Sequence, residues 1–271
     1  MYSYGLHNAK IGGGPPADYG TRVNAMVARA AALSYAKPSA ATLLDLQTRL
    51  ANIGDTALNK LDVLQIYSPD AGTMDFFTLN VVAPTTTQAT LVNSPSSSKL
   101  GVSTNGSNNY IDTGFDPSND ATNFTLNDNH FGIILSQSVG TSIQGGIGDS
   151  VSGSNTRLNI YLVTSTNTDI SSNNNLSAQF TPINADAGYK VTQRTSSTES
   201  LRYNDGTLIS TSNTNSSRIP NIGNIFLGGW NSNGSMANYS ANRYAAFTIG
   251  ASLTTTEMAT INTQITAFYG R

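Results

Sequence analysis

The sequence predicts a mainly β protein: an antiparallel β-sandwich preceded by a small α-helical segment. Two observations carry this prediction. Before Tyr67, apolar residues recur every three or four positions, which is the spacing of amphipathic helices. After Tyr67, Ser, Thr and Asn become abundant, and short apolar runs alternate with Gly, Asn and Asp turns. Many short strands without intervening helices indicate a sandwich or jelly roll.

Three short helices are predicted in the first part of the chain. The first lies within residues 18–36 and ends before Pro38. Ser39 is placed to cap the second helix, which stops at Gly54. Asp55 is expected to cap a third helix. That helix is predicted to bury four apolar residues: Leu58, Leu61, Leu64 and Ile66.

A series of short strands is predicted beyond residue 72. The clearest unit is a hairpin at Asn204-Asp205-Gly206, because these residue types supply the positive φ angles of a tight turn. The candidate strands are 76–82, 89–93, 100–104, 110–113, 131–136, 143–147, 157–163, 178–181, 188–194, 200–204, 207–212, 225–229 and 244–249. The glycine-rich run at 145–148 is interpreted as a flexible turn.

The chain is predicted to end with a helix over residues 254–269. Thr254 or Thr255 can cap it, and Glu257 lies near its positive end. We expect this helix to lie across an end of the sandwich. Its buried stripe is predicted to consist of Met258, Ile261, Ile265 and Phe268.

Composition narrows the classes of function. Charged residues make up 11% of the chain, with 14 Lys and Arg against 16 Asp and Glu, so no basic face for nucleic acid is indicated. The chain has no cysteine and two histidines, which leaves few groups for acid–base, thiolate or metal chemistry. No closely spaced pair of carboxylates suits glycoside hydrolysis. The prediction is therefore that the chain is not an enzyme and has no catalytic residues.

No apolar run is long enough to span a membrane, and the first residues do not resemble a secretory signal. Synthesis in the cytoplasm is therefore expected. Neither a metal site nor a cofactor is predicted, although calcium stays open because it prefers oxygen ligands such as loop carboxylates. Ordinary turns use the same residues. The loop carboxylates are Asp112, Asp116, Asp120, Asp128 and Asp149.

One candidate binding site is centred on the only tryptophan. Trp230 follows a predicted strand and enters a polar loop. Sugar recognition uses an aromatic ring flanked by amide, carboxylate or guanidinium groups. The alternative is that Trp230 covers the sandwich edge or an interface. The candidate glycan-binding residues are Trp230, Asn231, Asn238, Tyr239 and Arg243.

The β part resembles the concanavalin A-like, laminin-G-type jelly rolls of bacteriophage and prophage virion proteins. The similarity is carried first by residues 105–115, NGSNNYIDTGF. Residues 129–133, 225–229 and 247–253 support it in the same order. The helical segment with residues 61–67 also resembles the lead-in of such jelly rolls.

The resemblance implies a non-enzymatic virion structural protein. Residues 1–17 would form a flexible arm, residues 18–67 a helical segment anchored to other virion proteins, and residues 68–271 a displayed jelly roll with its C-terminal helix. We expect a homo-oligomer in the virion. A host glycan is an optional partner. Three alternatives remain open: a carbohydrate-binding lectin-like module, a receptor-binding tail protein, and a glycan-degrading enzyme.

Overall fold

The computed structural model describes residues 20–138, 142–149, 156–162, 173–175, 187–213, 215–216 and 218–270. The predicted arm and the candidate strand at 178–181 lie outside these ranges. The helices are α1 (Gly20–Ala32), α2 (Ala40–Ile53), α3 (Asp55–Leu58) and α4 (Thr255–Tyr269), with a 3-10 helix at Met74–Thr78. The strands are β1 (Leu61–Ile66), β2 (Thr90–Val92), β3 (Ser96–Ser98), β4 (Gly101–Ser103), β5 (Tyr110–Asp112), β6 (Asn129–Ser138), β7 (Ser142–Asp149), β8 (Thr156–Leu162), β9 (Asn173–Asn175), β10 (Gly188–Arg194), β11 (Ser200–Asn204), β12 (Thr207–Ser212), β13 (Phe226–Leu227), β14 (Trp230–Ser232), β15 (Ser235–Ala237) and β16 (Asn242–Gly250).

The strands form two sheets. Sheet A has the order β12-β11-β10-β6-β16-β4-β3, with β1 also paired to β16. Sheet B has the order β15-β14-β7-β13-β5-β2, with β8 beside β7 and β9 beside β8. Strands β10, β11 and β12 have the predicted bounds. The prediction of a mainly antiparallel β fold is confirmed.

One strand pair departs from the predicted wholly antiparallel pattern. Strand β14 runs parallel to β7, with Asn231 opposite Ile147. Strand β8 pairs with β7 along its whole length, so β13 and β14 both lie on the other side of β7, one after the other. Gly228 and Gly229 connect β13 to β14 at φ 92° and 146°, a backbone region that other residues rarely adopt.

Two hydrophobic cores separate three layers. One core lies between the sheets and includes Phe131 and Phe247 from sheet A with Ile147 and Leu227 from sheet B. The other lies between the helices and the opposite face of sheet A. Sheet A is therefore buried on both faces, whereas the helical layer shares no core residue with the strands of sheet B among the described residues.

Local capping starts α2 and α4 as the sequence indicates, whereas the predicted Asp55 cap of α3 is wrong, because Gly54 is the N-cap and no side chain caps it. The Ser39 hydroxyl accepts a hydrogen bond from the Thr42 amide at 3.2 Å, so the predicted cap of α2 is confirmed. Thr254 and Glu257 form a capping box at the start of α4. The predicted position of α4 is wrong, because its apolar stripe packs on α2 and on the face of sheet A rather than across an end of the sandwich.

The third predicted helix is mostly a strand. Helix α3 ends at Leu58, and β1 pairs antiparallel with β16. Val63 enters the core between the sheets, while Leu64 and Ile66 enter the core under the helices. A strand buried on both faces has a continuous apolar run, which periodicity alone does not distinguish from a helix. This is why the sequence prediction failed here.

The candidate strand at 76–82 is also wrong in part. Residues Met74–Thr78 form a 3-10 helix that buries Phe76 and Phe77. The two rings meet edge-on, with centroids 5.2 Å apart. A short single turn is enough to place two consecutive aromatic residues in the core, a pattern that also fits a buried strand.

The helical segment at 18–67 packs within the chain itself. Val23 and Met26 of α1 and Leu43 and Leu46 of α2 are buried in the core beneath the helices. The predicted role of this segment in attachment stays a prediction, and any attachment must use surfaces other than these stripes. Among the described helices, none is long and apolar enough to cross a membrane.

Candidate functional site

The outer face of sheet B is the starting point, because the helices pack on sheet A. Residues directly opposite each other in a pleated sheet point to the same face. Ile111, Leu227 and Ile147 point inward to the core. Phe226 precedes Leu227, and Trp230 precedes Asn231, which lies opposite Ile147, so Phe226 and Trp230 point outward. The face that carries Phe226 and Trp230 is called the outer face below.

Two glycines of β7, Gly146 and Gly148, lie on the outer face. Gly146 lies opposite Phe226 of β13 and Gly148 opposite Ser232 of β14. A methyl group at Gly148 would overlap Cζ3 of Trp230, so the indole lies directly on this glycine. The interpretation of residues 145–148 as a flexible turn is wrong, because they lie within a strand.

Trp230 is held by packing rather than by hydrogen bonds. Its side chain is half-buried, and its indole Nε1 is buried without an acceptor among the described residues. Leaving a buried donor unpaired costs about 1–3 kcal/mol. The ring is therefore held in position by packing against the backbone of Gly148 and against neighbouring side chains.

Arg157 of β8 is the charged neighbour of Trp230. It lies opposite Gly148, on the outer face. Its guanidinium carbon is 5.0 Å from the centroid of the indole ring, within the range of a cation–π contact. The sequence prediction missed Arg157, because only the register of β7 and β8 brings it to Trp230.

Three further aromatic residues form a cluster on β5, on β13 and after β15. Tyr110 contacts Phe226 with ring centroids 4.8 Å apart and Tyr239 at 6.4 Å. Burial, followed by the nearby carboxylate of Asp112 and then Tyr239, raises the pKa of Tyr110. The phenol therefore stays protonated and able to donate a hydrogen bond at neutral pH.

Of the five predicted site residues, the structure places Trp230 and Tyr239 among outer-face aromatics and separates two others from them. Asn231 is buried and serves the local turn: its amide donates to the Asn224 carbonyl at 2.8 Å and accepts from the Gly234 amide at 2.8 Å. Arg243 belongs to β16 of sheet A, where its Nε donates to the Ser103 hydroxyl at 3.0 Å.

Asn238 is exposed and occupies the left-handed backbone region at φ 52°. Asparagine tolerates this conformation better than most residues. Its position is explained by the turn that follows β15. The ligand-binding assignment of these residues stays a prediction.

Replacing Gly148 by alanine is expected to push the indole off β7. The added methyl overlaps Trp230 and, to a smaller extent, meets the Arg157 side chain. Trp230 is the only tryptophan, so the displacement can be measured as a shift of its fluorescence emission toward that of exposed indole. Gly234→Asn is the control, because Gly234 has open space and a φ of 85° that asparagine tolerates. An unchanged emission maximum in Gly148→Ala would contradict the described packing.

In the described ranges, the loop aspartates accept hydrogen bonds from backbone amides of turns and loops. Asp112 accepts from the Gly114 amide at 2.9 Å, and Asp128 accepts from the Ser252 amide at 2.9 Å. Asp116 and Asp120 hold one loop, where Asp120 accepts from the Asp116 amide at 2.8 Å. No group of three or more His, Asp or Glu residues suited to a metal occurs within the described part of the chain. The side chain of Asp149 lies outside it.

His130 is fully buried beside the start of α4. Its Nδ1 lies 2.6 Å from the Ala251 carbonyl, so Nδ1 carries the proton and donates. Burial lowers the pKa of His130 from 6.5 to about 4, although the Ala251 carbonyl opposes this shift. The imidazole is therefore neutral at pH 7.

Comparisons with known proteins give distant structural matches. No protein-family model and no curated protein matches the chain. A mutant Trypanosoma rangeli sialidase with trans-sialidase activity matches with a TM-score of 0.49 and 14% identity, over 84% of this chain and 38% of the sialidase. The CBM40 domain of Ruminococcus gnavus IT-sialidase, bound to α2,3-sialyllactose, matches with a TM-score of 0.36 and 13% identity, over 51% of this chain and 84% of the domain.

A leech intramolecular trans-sialidase also matches, with a TM-score of 0.36 and 13% identity over 51% of this chain and 23% of the enzyme. This chain spans about two fifths of the length of the T. rangeli enzymes. The prediction that the chain is not an enzyme is contradicted, because the matched structures include sialidases and trans-sialidases. The similarity is distant and assigns no family and no activity.

Proposed function

We propose that this chain binds carbohydrate on the outer face of sheet B, with Trp230 as the platform for a sugar ring. The observation that carries the proposal is the position of the half-buried indole on Gly148, with the Arg157 guanidinium 5.0 Å from its centroid. An aromatic face packs against the C–H groups of a pyranose, while nearby donors orient its hydroxyl groups.

The two outer-face glycines of β7 determine the shape of the proposed site. Phe226 and Trp230 belong to β13 and β14, which follow one another along the same side of β7, while Arg157 belongs to β8 on its other side. Gly146 and Gly148 of β7 have no side chains, and the Trp230 indole packs over Gly148. A surface with Phe226 and Trp230 along one side of β7 and Arg157 along the other suits a sugar ring lying on the sheet.

Polar groups for orientation lie near the aromatics. Arg157 supplies guanidinium donors at Trp230, and Tyr110 supplies a phenol beside Phe226. Asp112 lies opposite Phe226 across β5 and β13 and accepts from the Asn224 amide at 3.0 Å. Mixed donors and acceptors around an aromatic surface are the ordinary composition of a sugar site.

Replacing Trp230 by alanine is expected to weaken glycan binding by about tenfold or more, equal to about 1.4 kcal/mol. Lactose and α2,3-sialyllactose are suitable first ligands, followed by a glycan array, with affinities measured by calorimetry. Leu208→Ala is the matched control, because Leu208 is an exposed apolar residue on β12 of sheet A. Glycan binding that survives Trp230→Ala unchanged would eliminate the proposed site.

A concanavalin A-like jelly roll displayed on a phage particle is the second part of the proposal. It is supported by the motif at residues 105–115, which folds as a turn followed by β5. Asn105 closes that turn by accepting from the Ser107 amide at 2.9 Å and the Asn108 amide at 3.1 Å. Residues 1–67 would then contact other virion proteins, and the chain would be a homo-oligomer. Immunogold labelling of intact particles tests this placement.

A further inference from the structure

Arg157 has uncommitted hydrogen-bonding capacity at the proposed sugar site. Within the described part of the chain, the Arg157 guanidinium contacts Trp230 and makes no other side-chain interaction. The ion pairs among the described residues involve Arg22, Arg49 and Lys60 instead. A guanidinium carries five N–H donors and no acceptor. Among the described residues, therefore, none occupies the Arg157 donors, which are available to a bound ligand.

Among the side chains that the structure describes, the outer-face carboxylate nearest in register does not neutralise Arg157. Asp112 belongs to β5, which is separated from β8 by β13 and β7. Three strand spacings correspond to roughly 14 Å. Asp112 is also engaged locally, since its Oδ1 accepts from the Gly114 amide and from Asn224. The two ends of the outer face therefore differ in charge.

We infer that the Trp230 site selects sugars carrying a carboxylate, which Arg157 binds while the indole supports the sugar ring. This inference rests on the proposed function and names its ligand class. A guanidinium and a carboxylate match in planar, two-point geometry, and such charge-assisted hydrogen bonds are about twice as strong as neutral ones. The guanidinium is already held against the ring, so less side-chain freedom is lost when the ligand binds.

The position of Arg157 also favours an acid over a neutral sugar. A neutral hydroxyl accepts a single hydrogen bond from the guanidinium and leaves its other donors to water. A carboxylate accepts two in parallel and cancels the charge. Because the site is half-buried, this charge pairing is screened less than at a fully exposed surface.

The test compares carboxylated sugars with neutral counterparts that have no free carboxylate. Trigalacturonate and its methyl ester are titrated into the full chain by calorimetry, as are α2,3-sialyllactose and lactose. We expect each acid to bind about tenfold tighter than its neutral counterpart. Arg157→Ala should abolish the difference, and Arg157→Lys should restore part of it. Arg243→Ala is the matched control, because Arg243 lies on sheet A, and it should retain the wild-type preference.

The outcomes separate this inference from the proposed function. Equal binding of acid and neutral ligands, with Trp230→Ala still abolishing both, would overturn the inference and leave the sugar site in place. Loss of preference in Arg243→Ala but not in Arg157→Ala would also overturn it. A sulfated lactose that binds tighter than every carboxylated sugar would overturn the assignment to carboxylates. No binding of any sugar would remove both proposals together.

Discussion

Phe247→Ala is expected to lower the free energy of unfolding by about 3–5 kcal/mol, the usual cost of removing a buried phenylalanine ring. Phe247 is fully buried between the sheets, where its ring meets Phe131 at a centroid distance of 5.8 Å and an angle of 62°. The substitution removes both the buried area and this edge-to-face contact. Urea unfolding followed by circular dichroism measures the change.

The matched control is Leu208→Ala, because Leu208 is 47% exposed and lies outside both hydrophobic cores. Its substitution should change the free energy of unfolding by less than about 1 kcal/mol. A Phe247→Ala protein within about 1 kcal/mol of the wild type would mean that the two sheets do not share the packed core described above. The outer face of sheet B depends on that core, since Leu227 and Ile147 place β13 and β7.

Lowering the pH from about 6.5 to 4 is expected to remove about 3 kcal/mol of stability through His130. The folded protein holds the pKa of His130 at about 4, against 6.5 when unfolded. In this pH window the unfolded state binds more protons than the folded state, so stability falls as the pH falls. Below about pH 4 the contribution of His130 no longer changes.

The charged groups around His130 come from several elements. The carboxylates of Glu257 and Asp128 raise its pKa, whereas Lys60 lowers it, and burial outweighs them all. Burial raises the pKa of Glu257, but Lys60 and the Thr254 amide outweigh it and give a net lowering. The stability contribution of Glu257 is therefore lost below its ordinary value of 4.5.

Comparing the wild type with His130→Asn between pH 4.5 and 6.5 isolates the histidine, because an asparagine amide can donate to the Ala251 carbonyl but does not titrate. Urea unfolding is measured at each pH. The variant should show a much flatter pH dependence in this window. Equal slopes in the two proteins would show that His130 is not the group responsible.

The sequence predicted those elements whose ends are set by local chemistry. Ser39 and Thr254 marked helix starts, because their side chains bind backbone amides within the next turn. Asn204-Asp205-Gly206 marked the β11–β12 hairpin, where Asp205 and Gly206 adopt positive φ values of 52° and 83°. These signals depend on a few neighbouring residues, and a sequence contains them in full.

Elements that depend on distant partners were missed. Strand β1 has helix-like periodicity until its pairing with β16 is known. Strands β3 and β15 are short and contain no β-branched or aromatic residue, and only their neighbours give them a β conformation. The same reason explains the partial prediction of the site. Trp230 stood out as a lone tryptophan, whereas Arg157 and Gly148 join it only through the register of sheet B.

Tryptophan fluorescence during a sugar titration tests the central claim most directly, because the chain has a single tryptophan and it lies at the proposed site. We predict a saturable change in emission whose midpoint equals the affinity from calorimetry. The same titration of Gly148→Ala should show a much weaker response. Calorimetric sugar binding with no change in Trp230 emission would contradict a sugar site on the outer face of sheet B.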